Sequence, residues 1–149
     1  MRKQLLAFVG VAVLGLVSAA IAGGANGNTH RVKATLTARA EVPKPRGAKG
    51  TGFFTASFVE NAKGGVMKWQ LTFTGLTGRA TAADIHLGKR GVAGPVIVPL
   101  CGPCQSGQSS MTAIAKDTIA ALLSGRAYVN VHTKRNAGGE IRGQITVAK

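Results

Sequence analysis

From Thr29 onward, apolar and polar residues alternate with a period of two, the signature of strands with one face buried and one face wet. Val32, Ala34, Leu36 and Ala38 alternate against Arg31, Lys33, Thr35, Thr37 and Arg39 and predict a first strand. A charged loop with two prolines, Pro43 to Gly50, follows it. Thr51 to Val59 predicts a second strand with Phe54, Ala56 and Phe58 on one face. After the turn Asn61-Ala-Lys-Gly-Gly65, Val66 to Thr74 returns with Met67, Trp69, Leu71 and Phe73 on one face and Lys68, Gln70 and Thr72 on the other. Two further strands are predicted over Thr81 to Leu87 and Val96 to Leu100, separated by a basic, glycine-rich loop. Cys101 to Ser110 reads as polar and irregular.

One segment is helical in pattern: Asp117 to Ser124, with Asp117 as its cap and Gly125 as its stop. Its Ile119, Leu122 and Leu123 are expected to dock on the sheet edge. The chain closes on a hairpin. In Ala127 to Thr133, Val129 and Val131 face one way and Tyr128, Asn130 and His132 the other. Beyond the Asn/Gly turn, Ile141, Gly143, Ile145 and Val147 share one face and Glu140, Arg142 and Gln144 the opposite one. About seven short strands with glycine-rich turns argue an all-β antiparallel sandwich or closed Greek-key barrel, with one short helix before the C-terminal hairpin.

The N-terminus adds a compartment. Arg2 and Lys3, an apolar run from Leu5 to Val17 and small residues ending at Ala22 form the three-part pattern of a secretory signal peptide, expected to be cleaved after Ala22, the alternative being an uncleaved membrane anchor. The expected division is therefore a signal peptide over 1–22, a flexible leader over 23–28 and one β domain over 29–149, with no membrane span after cleavage. Removing Arg2 and Lys3 lowers Lys plus Arg from 19 to 17, leaves all five acids and gives a net charge of +12. Such an excess attracts polyanions. The cations are spread along the chain and aromatics are few, so no specific nucleic-acid partner is expected.

Cys101-Gly-Pro-Cys104 matches the redox pair of thioredoxins, where a helix N-terminus lowers the thiol pKa. Here Gln105-Ser-Gly-Gln-Ser-Ser follows, which is poor helix material, and the flanking pattern is antiparallel. Outside the cytosol, the only two cysteines are expected to form a structural disulfide within one loop. No phosphate-binding loop, nucleophile elbow or marked carboxylate pair is present, so no enzyme activity is expected.

Four blocks resemble the CHRD domain family, named after chordin. They are Leu36-Thr-Ala-Arg-Ala-Glu-Val-Pro43, the middle block from Leu76 to Gly88, Gly94-Pro-Val-Ile-Val-Pro-Leu100, and Ile119 to His132. The C-terminal Gly-Gly-Glu-Ile-Arg-Gly-Gln-Ile run continues the last of these. The blocks fall in register over residues 36 to 145. The resemblance implies a secreted or surface-attached domain of immunoglobulin-like or superoxide-dismutase-like β architecture, and it carries over no catalytic residue. Where the family commonly has Ala-His-Ile-His, this chain has Ala83-Asp84-Ile85-His86.

The leading expectation is a secreted, non-enzymatic β module that binds at the cell envelope or to extracellular polyanions. The alternative is an extracytoplasmic metal-binding protein. Asp84 and His86 leave one face of their strand, opposite Ile85, and His132 leaves a later strand beside Asn130 and Tyr128. If those strands approach, two imidazoles and a carboxylate suit copper or zinc. In the bland reading, both histidines hydrogen-bond to neighbouring backbone or to Asn130, and no cofactor is held. Oligomeric state is not legible from the sequence.

Overall fold

The computed structural model describes residues 29–149, so the segments expected to be a signal peptide and leader lie outside the described residues. Nine strands form one antiparallel sheet: β1 (Thr29–Thr37), β2 (Thr51–Asn61), β3 (Gly64–Thr74), β4 (Ala80–Leu87), β5 (Val96–Cys101), β6 (Gln108–Ile114), β7 (Ala127–Thr133), β8 (Ile141–Gln144) and β9 (Thr146–Val147). The order is β5-β4-β7-β8-β1-β2-β3-β6, with β9 also pairing β1. Edge strands β5 and β6 approach each other, so the antiparallel sheet is nearly closed into a barrel.

The alternation sets the interior. Val32, Ala34 and Leu36 of β1, Phe54 and Phe58 of β2, and Met67, Trp69 and Leu71 of β3 are buried. Ile85, Val129, Val131, Ile141 and Ile145 complete the core from the other half. Each large side chain contributes roughly 1.5–3 kcal/mol by leaving water. Trp69 satisfies its indole N–H by donating to Thr112 Oγ1 at 3.1 Å.

Three local expectations are corrected. The last three residues of the segment read as irregular, Gln108 to Ser110, open β6, which continues through the unassigned residues to Ile114 and pairs with β3 from Gly65↔Ile114 to Leu71↔Gln108. Only Ile114 of that strand is buried, so its sequence carries no alternation to read; backbone pairing alone makes it a strand. The helix α1 runs Lys116–Leu123 with Ala115 at its cap and no side-chain cap bond. Asp117 instead sits in the first turn, where its charge favours the positive end of the helix dipole. Ile119 and Leu122 are buried against the barrel, as the helical pattern requires, while Leu123 is half-buried. Finally, Val147 was assigned to the core face yet is exposed, because the pairing breaks at Ile145 between β8 and β9.

The two cysteines are joined, with Cα atoms 5.3 Å apart at the end of β5. No helix starts at the motif, which removes the geometric basis for a thioredoxin-like pair.

Candidate metal site on the covered face

Period two places Asp84 and His86 on the outward side of β4, with Ile85 fully buried on the inward side. β7 lies next to β4 in register Asp84↔Asn130, His86↔Tyr128 and Ala82↔His132. The pleat therefore gathers Asp84, His86 and His132 on one face. Their donor atoms all lie within 4.8 Å of one another. His132 Nε2 is 3.3 Å from Asp84 Oδ2, and the two imidazole centroids are 6.0 Å apart.

Both rings are oriented by backbone. His86 Nδ1 lies 2.9 Å from the Gly94 carbonyl and His132 Nδ1 2.9 Å from the Ala137 carbonyl. A carbonyl only accepts, so each Nδ1 must be the donor. In the neutral rings, Nε2 then carries a lone pair. Both Nε2 atoms are buried and have no hydrogen-bond partner. In the bland reading the histidines bond to backbone, and so they do, but each uses one nitrogen only; neither bonds to Asn130. A backbone-oriented imidazole with a free, inward Nε2 is the arrangement of a metal-ligating histidine.

The site is walled by stacked and buried groups. His86 stacks on Tyr128 at 4.9 Å and 11°. The Arg142 guanidinium lies 3.3 Å from the centroid of the same ring. Arg142 Nη2 donates to the Lys89 and Val92 carbonyls at 2.9 Å each, drawing the basic 88–94 loop over the sheet. Gly94 closes that loop where a Cβ would stand 1.7 Å from the Leu87 oxygen, so no side chain fits. At the other end, Gly139 has φ +131° and meets both Glu41 and Asn130 where its Cβ would be.

Two buried glutamates flank this face and differ in kind. Burial pushes the Glu140 carboxyl up, but hydrogen bonds from Thr133, Thr77 and Asn136 outweigh it and hold the carboxyl below its ordinary value. Glu41 is pushed up, chiefly by burial, against the opposing pull of the Val42 amide, Arg142, His132 and Asn130. Burial likewise lowers Arg142, with Tyr128 and Glu41 opposing.

The alternation puts Glu140 and Arg142 on the face opposite Ile141, where a water-facing position is expected. Both are buried instead, and no ion pair joins them. Neither the Glu41–Asn130 contact nor the Arg142–Tyr128 stack was foreseen. Their one sequence signal was a hairpin whose polar positions are large and capable of several bonds each.

Residues 32–145 match the family model described as CHRD domain. Neither a curated protein nor a solved structure matches the chain.

Proposed function

The chain belongs to the CHRD domain family, a family of extracellular β domains, and from that premise we propose that it is a non-enzymatic β module holding one copper or zinc ion outside the cytoplasm. The observation that carries this reading is the facing of acceptors. His132 Nε2, with its ring tautomer set by Ala137, confronts the Asp84 carboxylate at 3.3 Å, and the buried Nε2 of His86 opens beside them. Acceptor against acceptor is unfavourable unless a proton on the imidazole or a metal cation stands between them, and the unpartnered Nε2 of His86 beside the pair favours the metal. Two nitrogens and one oxygen leave a fourth position for water in a tetrahedral zinc site, and the same donors suit copper. For bonds of about 2.0–2.2 Å the donors must close to roughly 3.5 Å. The His132–Asp84 edge already meets this, and the His86 donor, within 4.8 Å of the other two, must move closer when an ion binds.

Titration calorimetry with zinc, and separately with copper, tests the site. One ion per chain is expected, accompanied by a higher melting temperature. His86→Asn and His132→Asn should each weaken affinity by at least about a hundredfold, and Asp84→Asn by roughly ten- to a hundredfold. His30, on β1, is the control: His30→Asn should leave affinity unchanged. Binding that survives both histidine replacements at the site would overturn the reading, as would a wild type that binds neither ion.

A second reading rests on a separate observation. Among the described residues every Lys and Arg except Arg142 is exposed, while Glu41 and Glu140 are buried and Asp84 is half-buried within the site. Glu60 and Asp117 are the exposed acids. The folded surface is thus more one-sided than the composition, which supports binding to envelope or extracellular polyanions after a signal peptide is removed at Ala22. N-terminal sequencing of the exported protein should begin at Gly23. Retention on an anionic matrix at low ionic strength, with elution by salt, tests the electrostatic part.

A further inference from the structure

The opposite half of the barrel carries a groove. On β2 the outward residues Thr55 and Ser57 are short, while their register neighbours are long: Lys33↔Thr55↔Gln70 and Arg31↔Ser57↔Lys68. Short side chains on a central strand between long ones leave a trough along β2. It has a volume of about 450 Å³ and is bounded further out by Ser109 of β6. Arg31, Lys33 and Lys68 are exposed, and no acid lines the trough.

The two walls, on β1 and β3, are two strand spacings apart, roughly 10 Å. Arg31 and Lys33 follow one another along the wall at about 7 Å. The floor is hydroxyl and the walls add an amide and three cations. Phe53, the next outward residue of β2 and 45 % exposed, presents one aromatic face beyond the end of the floor.

We infer that this trough binds a single chain of an acidic polysaccharide, its carboxylates or sulfates meeting Arg31, Lys33 and Lys68 and its hydroxyls meeting Thr55, Ser57 and Gln70. The inference rests on the polyanion reading above and gives it a place. Single-stranded nucleic acid fits less well. It needs successive aromatic platforms, and Trp69, under the floor, is buried with its indole N–H already engaged. Sugar hydroxyls, by contrast, use the Thr and Ser hydroxyls of the floor and the Gln70 amide of the wall.

Binding is measured to polygalacturonate and heparin, which separate carboxylate from sulfate, and to mixed-sequence single-stranded DNA. The triple variant Arg31→Gln/Lys33→Gln/Lys68→Gln should bind the preferred glycan at least about tenfold more weakly than wild type, with a shallower salt dependence. The control Lys63→Gln/Arg79→Gln/Lys116→Gln removes the same charge elsewhere on the surface and should cost less than about threefold. Ser57→Glu, which sets a negative charge in the floor, should weaken binding as much as the triple variant. All these positions are exposed or half-buried at the surface, and unchanged melting curves verify the fold.

Equal losses in the two triple variants would overturn the trough while leaving general electrostatic attraction standing. Tighter, trough-dependent binding of the DNA would overturn the assignment to polysaccharide. A wild type that binds neither glycan at low ionic strength would bring down the polyanion reading itself.

Discussion

The two halves of the barrel begin from the same alternation and end in opposite states. On β1 and β3 the outward residues Arg31, Lys33, Lys68 and Gln70 stay in water, with the half-buried Thr55 and Ser57 of β2 between them. On β4, β7 and β8 the outward residues His86, Tyr128, Asn130 and Arg142 are buried, although their sequence reads as a wet face. The difference lies in what covers them. The 88–94 loop is pinned by Arg142, and the 133–140 turn folds back through Glu140 and Asn136. An open polar face can attract a ligand only through screened charge. A covered polar face must satisfy every donor and acceptor internally, and where it does not, an unpaired group is left as a candidate ligand atom.

The largest effect expected from breaking this contrast is at Glu140. Its carboxylate accepts from Thr77 N at 2.5 Å, Thr77 Oγ1 at 2.6 Å, Thr133 Oγ1 at 2.5 Å and Asn136 Nδ2 at 3.0 Å. Glu140→Gln turns one acceptor oxygen into a donor facing other donors, and should cost about 3 kcal/mol in urea unfolding at neutral pH. Because the folded carboxyl is held below its unfolded value of about 4.3, its stabilisation is full above that value and is lost as pH falls through the folded one. The gap between wild type and variant should therefore close on acidification.

Arg142→Met keeps length and apolar contact but removes the charge over Tyr128 and two bonds to the 88–94 loop. A loss of roughly 2–3 kcal/mol is expected. The distinguishing measurement is amide exchange: protection should fall in that loop well before it falls in β2 or β3.

The disulfide comes next. Cys101→Ser/Cys104→Ser releases a closed loop so short that about 2 kcal/mol is the ceiling on chain-entropy grounds. The melting temperature should drop modestly while far-ultraviolet circular dichroism keeps its β signal. A collapsed fold would show that the β5 end is needed to close the barrel.

Glu41→Gln sharpens the comparison from within the covered face. Here burial dominates, so removing the charge should cost no more than about 1 kcal/mol at neutral pH. The sign with pH reverses: a folded carboxyl raised above its unfolded value favours wild type below that value, and the advantage fades as pH rises through the folded one. Opposite pH trends in Glu41→Gln and Glu140→Gln are the expected result of paired urea titrations from pH 3 to 8.

On the open face, Lys68→Gln should change stability by no more than about 0.5 kcal/mol. A larger loss would mean that this face, too, is held together by its polar groups.

The order of elements and the composition of the core follow from local information. Period-two alternation puts Phe54, Phe58, Trp69, Leu71, Val129 and Val131 inside whatever the neighbouring strands are, because a pleat sends alternate side chains to opposite faces. It also puts Asp84 and His86 on one side of Ile85. That β4 lies beside β7, and so brings His132 to them, is a matter of strand pairing across more than forty residues, which no local pattern encodes. Nor can alternation distinguish a polar face in water from one beneath a loop, because both are written with the same residue types. β6 escaped notice for a related reason: its partner is a backbone, and backbone hydrogen bonds leave no mark on side-chain identity. The sequence by itself determined which residues could serve as ligands and which would form the core. The tertiary structure alone decided which of those candidates meet, and it did so by covering one half of a barrel and leaving the other half open to water.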